Sequence, residues 1–187
     1  MIPDPVRPDY AGPNVRGIVP AVLGPRRSMP SWMPGEVSDA SQVVLLVLDG
    51  LGWEQLQERR HLAPTLAGMT GRAITTVAPS TTATALTSIA TGLTPGEHGL
   101  VGYRIDMAGE VLNVLSWRTA SGDGRRQVEP RRAQPFAPFL GDAVPVVSRA
   151  ELEGSAFTEA HLRGTRPRGW RACARECPTC PGDTASR

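Results

Sequence analysis

The feature that most constrains this chain is the run Val43-Val44-Leu45-Leu46-Val47-Leu48, closed by Asp49-Gly50. Six consecutive aliphatic residues, half of them β-branched, are too few to cross a bilayer, which takes about 20. They are also too apolar for a strand with one wet face. Such a run belongs in a strand covered on both faces, and that is the habit of parallel sheets flanked by helices. The run therefore predicts a central parallel strand at 42–50 and an α/β fold around it.

Other segments agree with that frame. Trp53 to Met69 predicts a helix that Pro64 interrupts and restarts, and "RAITTVAP" a second strand. From Ser80 or Thr81 the period becomes helical, with Leu86, Ile89, Ala90 and Leu93 on an inner face and Gly92 at the end. A hairpin centred on Met107-Ala108-Gly109 joins Val101–Asp106 to Glu110–Leu115. "AVPVVSR" predicts one more strand and "SAFTEAHLRG" a short helix closed by Gly164. Residues 1–40 are Pro-rich and predict an arm lying on the domain surface with one or two helical turns.

Gly and Pro total 38 of 187 residues and 40% of the chain is hydrophobic, which suits a loop-rich α/β protein better than a helical bundle. The formal charge of +2 offers little attraction to nucleic acid. No apolar leader opens the sequence, so a cytoplasmic location without membrane association is the default expectation. The cysteines Cys173, Cys177 and Cys180 cluster in the last fifteen residues, so no disulfide framework spans the fold.

Two places can carry chemistry. Asp49 stands at the carboxyl end of the apolar run, where open α/β sheets gather ligands and a carboxylate can hold a divalent metal. It can equally be a turn residue bonding its own backbone. "PSTTATALTS" places Ser80, Thr81 and Thr82 at a helix N-terminus, whose free N–H groups and dipole favour an anion such as phosphate. The same residues can simply cap the helix, with later Thr side chains bonding to the preceding turn.

Taken together, "LVLDGLGWEQL", "APTLAGM" and "TTVAPSTTATALTSIATGLTPGEHGLVGY" resemble the alkaline phosphatase superfamily, in its nucleotide pyrophosphatase/phosphodiesterase branch. The resemblance covers residues 42–103 and implies an alkaline phosphatase-like sandwich with a largely parallel central sheet. It implies metal-dependent hydrolysis of phosphodiester or pyrophosphate bonds at two metal ions, usually zinc. Asp49 would ligate one of them. Thr82 would bind the same metal and attack phosphorus to form a phospho-threonine, with Thr81 its competitor for the role. Ala85 stands where nucleotide-hydrolysing relatives carry an Asn that touches a phosphate oxygen. His98, in "PGEHG", is expected to fix a turn, and His61 and His161 to be surface or helix-end residues.

The family's downstream ligands have no counterpart: after Thr82 there is neither Asp-His-Gly nor Asp-x3-His. The expectation is therefore the N-terminal half of such a domain at 41–172, truncated, with 173–187 an aberrant, disordered tail. Its phosphoester substrate is unidentified, and its activity is weak or absent. Two other classes stay open. One is a non-catalytic remnant binding an anion or a protein partner. The other is a cysteine-dependent metal protein using Cys173-x3-Cys177-x2-Cys180, with His161 as a conceivable fourth ligand.

Overall fold

The computed structural model describes residues 5–25 and 29–171. The predicted cysteine tail lies outside them. The arm begins with a 3-10 turn, Val15–Gly17, running into helix α1 (Ile18–Leu23); α2 (Glu36–Asp39) follows. It is more embedded than a surface arm: Val19 and Ala21 are buried and Asn14 is wholly so. The Asn14 side-chain amide donates to Thr75 Oγ1 and to the Thr76 carbonyl, both at 2.9 Å, and Thr75 N–H donates to the Pro13 carbonyl at 2.8 Å. A polar side chain this deep needs such partners.

Helices α3 (Trp53–Glu58) and α4 (Pro64–Ala67) come next, Pro64 opening the second as predicted. The central helix α5 (Thr82–Thr91) leads to a one-turn helix α6 (Pro95–His98). Gly92 ends α5 at φ +75°, and a side chain there would run into the Pro20 ring, so both the backbone and the packing call for glycine.

The predicted hairpin is present as β1 (Arg104–Met107) and β2 (Glu110–Asn113), turning at Ala108-Gly109, where both residues have positive φ. Two short strands, β3 (Arg118–Thr119) and β4 (Gly122–Asp123), extend it to a four-stranded antiparallel sheet in the order β1-β2-β3-β4. After α7 (Pro130–Ala133), strand β5 (Pro145–Arg149), helix α8 (Ala156–Leu162) and strand β6 (Arg166–Trp170) follow, β5 and β6 pairing in parallel. The core lies where α5, the hairpin and α8 meet. Ala83, Leu100, Leu112, Val114, Trp117, Phe157 and Ala160 are buried there, with the Trp117 indole N–H donating to the Val128 carbonyl at 2.7 Å. Among the described residues no helix is long and apolar enough to cross a membrane.

The fold is thus mixed α/β, and the described residues do not show the sandwich with a largely parallel central sheet. Among the described residues the larger sheet is antiparallel, and parallel pairing is confined to β5–β6 and the isolated bridge Asn14–Thr75. The run 43–48 belongs to no sheet among the described residues, and every residue from 41 to 50 is exposed. The predicted strand "RAITTVAP" is reduced to one bridge, Asn14 with Thr75. The physical reason is shared. Hydropathy says a segment would gain from burial, whereas a strand exists only when a neighbour takes up its N–H and C=O groups.

Candidate active site

The entry to α5 is held from the arm side. Tyr10 Oη accepts from Ala78 N–H at 3.1 Å, beside a cis Ala78–Pro79 bond, and the Asn14 contacts fix Thr75 and Thr76 just upstream. This anchoring delivers Thr81 and Thr82 to the first turn of α5. Thr81 takes the N-cap position with extended backbone, but its side chain caps nothing. Its hydroxyl instead lies 3.0 Å from that of Thr84. The backbone N–H groups of Thr82, Ala83 and Thr84 consequently have no acceptor among the described residues.

The remaining hydroxyls are accounted for one by one. Thr87 donates to the Ala83 carbonyl and Thr91 to the Thr87 carbonyl, each at 2.7 Å, bonding back one turn. Ser88 pairs with His98 at 2.8 Å. That leaves Ser80, which is exposed, and Thr82, which is half-buried, with no hydrogen-bond partner among the described residues. Of the two candidate nucleophiles, Thr81 is engaged and Thr82 is free.

His98 is fully buried and does fix a turn. Its Nδ1 accepts the Leu100 N–H at 3.2 Å, so the ring proton must sit on Nε2, which donates to Ser88 Oγ. Burial pushes its pKa down to about 4, which keeps the ring neutral and the Nδ1 acceptor intact. Thr94 and Glu97 close a capping box at the start of the same turn, and the bonds from Thr94 hold the Glu97 carboxyl below its ordinary value. The Ser88–His98 pair went unpredicted. Its only sequence signal is a small hydroxyl on the inner face of α5 ten residues before a His in a Pro-Gly turn.

Asp49 sits on the exposed turn that follows the apolar run, where Leu51 N–H donates to the Leu48 carbonyl. No hydrogen bond among the described residues joins it to Thr82. His161 lies in the last turn of α8 as a helix-end residue but is not on the surface. It is buried, stacks on Phe157 at 4.0 Å between ring centres, and its Nδ1 lies 2.6 Å from the Phe157 carbonyl oxygen. Burial lowers its pKa to about 4 as well. Among the described residues no three His, Cys, Asp or Glu side chains form a group able to hold a metal ion. Zinc takes four ligands, so Asp49 and Thr82 by themselves would not complete a two-zinc centre.

The type I phosphodiesterase/nucleotide pyrophosphatase family model matches residues 43–166, about two-thirds of the chain. The chain belongs to that family. It is thereby a member of the alkaline phosphatase superfamily, and the resemblance read from the motifs at 42–103 holds well beyond them. Comparison with curated proteins and with solved structures gave no match. Within the phosphodiesterase family frame, the apolar run, the Pro-Thr-Leu segment of α4 and the start of α5 all fall inside the matched span.

Proposed function

We propose that this chain carries the nucleophile-bearing part of a phosphodiester or pyrophosphate hydrolase, with Thr82 as nucleophile and Asp49 as a metal ligand. One observation carries the reading: at the entry to α5 Thr82 is a partly buried hydroxyl left without a partner among the described residues, and it stands beside three unaccepted N–H groups at a helix N-terminus. Those groups would bind two phosphate oxygens and hold phosphorus against Thr82 Oγ1. The Thr82 O–P bond would form as the bond to the leaving alcohol or phosphate breaks, and water would then release the phosphate from threonine.

What the described residues do not provide is a base for the Thr82 proton. An unassisted Thr hydroxyl is a poor nucleophile at neutral pH. The chain by itself is therefore a binder of phosphoesters with turnover that is weak or absent. With chromogenic phosphodiester and added zinc, hydrolysis should stay at the level of a Thr82→Ala control. Zinc-dependent turnover that this substitution abolishes would overturn the weak-activity part of the proposal. Titration with inorganic phosphate, followed by amide NMR, should move the Thr82, Ala83 and Thr84 signals first. If those three stay still while phosphate is raised to high millimolar levels, the anion site is wrong. The lack of a metal-holding group among the described residues also favours a second reading, a non-catalytic remnant whose helix still takes an anion.

A further inference from the structure

The two-stranded sheet β5–β6 takes no part in the chemistry at Thr82. Its register pairs Pro145 with Arg166, Val147 with Arg168 and Arg149 with Trp170. Partners in a parallel pair point the same way, so these six side chains share one face. All six are exposed, Val147 by 72% and Trp170 by 48%, whereas Val146 and Ser148 on the opposite face are half-buried. The 3-10 turn Ala150–Leu152 covers that opposite face, where a Cβ on Gly169 would come within 3.0 Å of the Ala150 side chain. The open face carries three guanidinium groups and an indole. Arg149 is held by Glu151, but Arg166 and Arg168 have no ion-pair partner among the described residues. Two positions apart on one strand, they stand about 6.6 Å from each other along it. Both edges of the sheet are blunted. Arg166 N–H donates to the Val144 carbonyl at 2.8 Å, which turns the backbone groups of Arg166 and Arg168 toward β5 and those of Val146 toward β6. Pro145 and Pro167 therefore fall at outward-facing positions, where each withholds the N–H that an added strand would use.

We propose that this face binds single-stranded nucleic acid, with phosphates on Arg166 and Arg168 and a base stacked on Trp170. Charge and shape select this occupant. A formal charge of +2 spread over the whole chain attracts little, but here the cations are gathered on one open face. Two unpaired guanidiniums in line along a strand suit successive phosphates of one backbone, and the indole beside them offers a surface on which any base can stack. An acidic peptide adding as a strand would meet a proline at either edge. An anionic bilayer is recognised by clusters of about four to eight cations, more than this face holds. The inference stands on this face alone and is independent of the reading of Thr82.

Fluorescence anisotropy of a labelled oligothymidylate of about 12 nucleotides, titrated with the full chain, tests this. Binding is expected at low salt. With two phosphates neutralised, log affinity should fall with log salt at a slope of about −1.4 or steeper. Arg168→Ala should weaken binding and make that slope shallower by about 0.7. Trp170→Ala should weaken binding about fivefold or more and leave the slope unchanged, with Trp170→Phe restoring most of the loss. Each substitution changes an exposed side chain, so circular dichroism should be unaltered. A wild type that does not bind at low salt overturns the proposal. So does binding indifferent to Arg168→Ala and Trp170→Ala. Tighter binding of polyglutamate, or of phosphatidylserine-rich vesicles, than of the oligonucleotide would reject nucleic acid as the occupant.

Discussion

Two segments of this molecule invert the usual relation between hydropathy and burial. Residues 43–48 are wholly aliphatic and lie outside, whereas α5, one half Thr and Ser, has six of its ten residues buried. The difference lies in who supplies the partners. A helix satisfies its own backbone, and the Thr and Ser side chains of α5 add bonds to the preceding turn or to His98. Its polar groups therefore enter the core already paired. An extended run cannot do this. However apolar its side chains, its N–H and C=O groups keep it in water until another strand accepts them.

The sharpest way to break this comparison is to truncate one large residue on each side of it. Trp117→Ala empties a fully buried site and orphans the Val128 carbonyl, and should cost about 3–5 kcal/mol in denaturant unfolding. Leu46→Ala should cost less than about 0.5 kcal/mol at monomeric dilution. Equal losses would mean that the run is buried after all.

Acid should act on the buried side next. His98 and His161 each have a folded pKa of about 4, below the ordinary 6.5, so the unfolded chain takes up protons first as pH falls. Stability is full above about pH 6.5 and declines between there and about pH 4, by on the order of 3 kcal/mol for each histidine. Melting temperatures measured across that window check this. A His98→Gln/His161→Gln double variant should flatten the slope, and an unchanged slope would remove these rings as its source.

Smaller effects separate hydroxyls within α5. Ser88→Ala leaves the His98 Nε2–H buried without its acceptor and should cost about 1–2 kcal/mol. Thr82→Ala removes a hydroxyl with no partner among the described residues and should change stability by less than about 0.5 kcal/mol, despite its weight in the proposed chemistry. Chemical denaturation of the two variants side by side distinguishes them. A large loss from Thr82→Ala would mean that its hydroxyl has a structural bond.

What the sequence made legible follows the same division. Locally specified features came through: the Gly92 stop, the Pro64 restart, the turn at Ala108-Gly109 and the helix before Gly164. Each is written in residues whose backbone preferences act on the spot. At the candidate site, motif spacing singled out Thr82, but the reason it is free, the diversion of Thr81 to Thr84, depends on side-chain geometry. Asn14 and Gln134 were overlooked because a buried amide is recognised only by what it bonds: Thr75 and Thr76 for one, Ala160 and Phe136 for the other. The segment predicted as a strand at 42–50 has no sheet neighbour among the described residues, because its apolar pattern states a need for burial and names no partner.

Hydrogen exchange at a dilution where the protein is monomeric tests the central contrast most directly. The amides of residues 43–48 should exchange at close to the rate of an unstructured peptide. Those of 86–91, inside α5 and against the core, should be slower by a hundredfold or more. Protection of 43–48 equal to that of 86–91 under those conditions would contradict the account, because it would require a strand partner within the single chain.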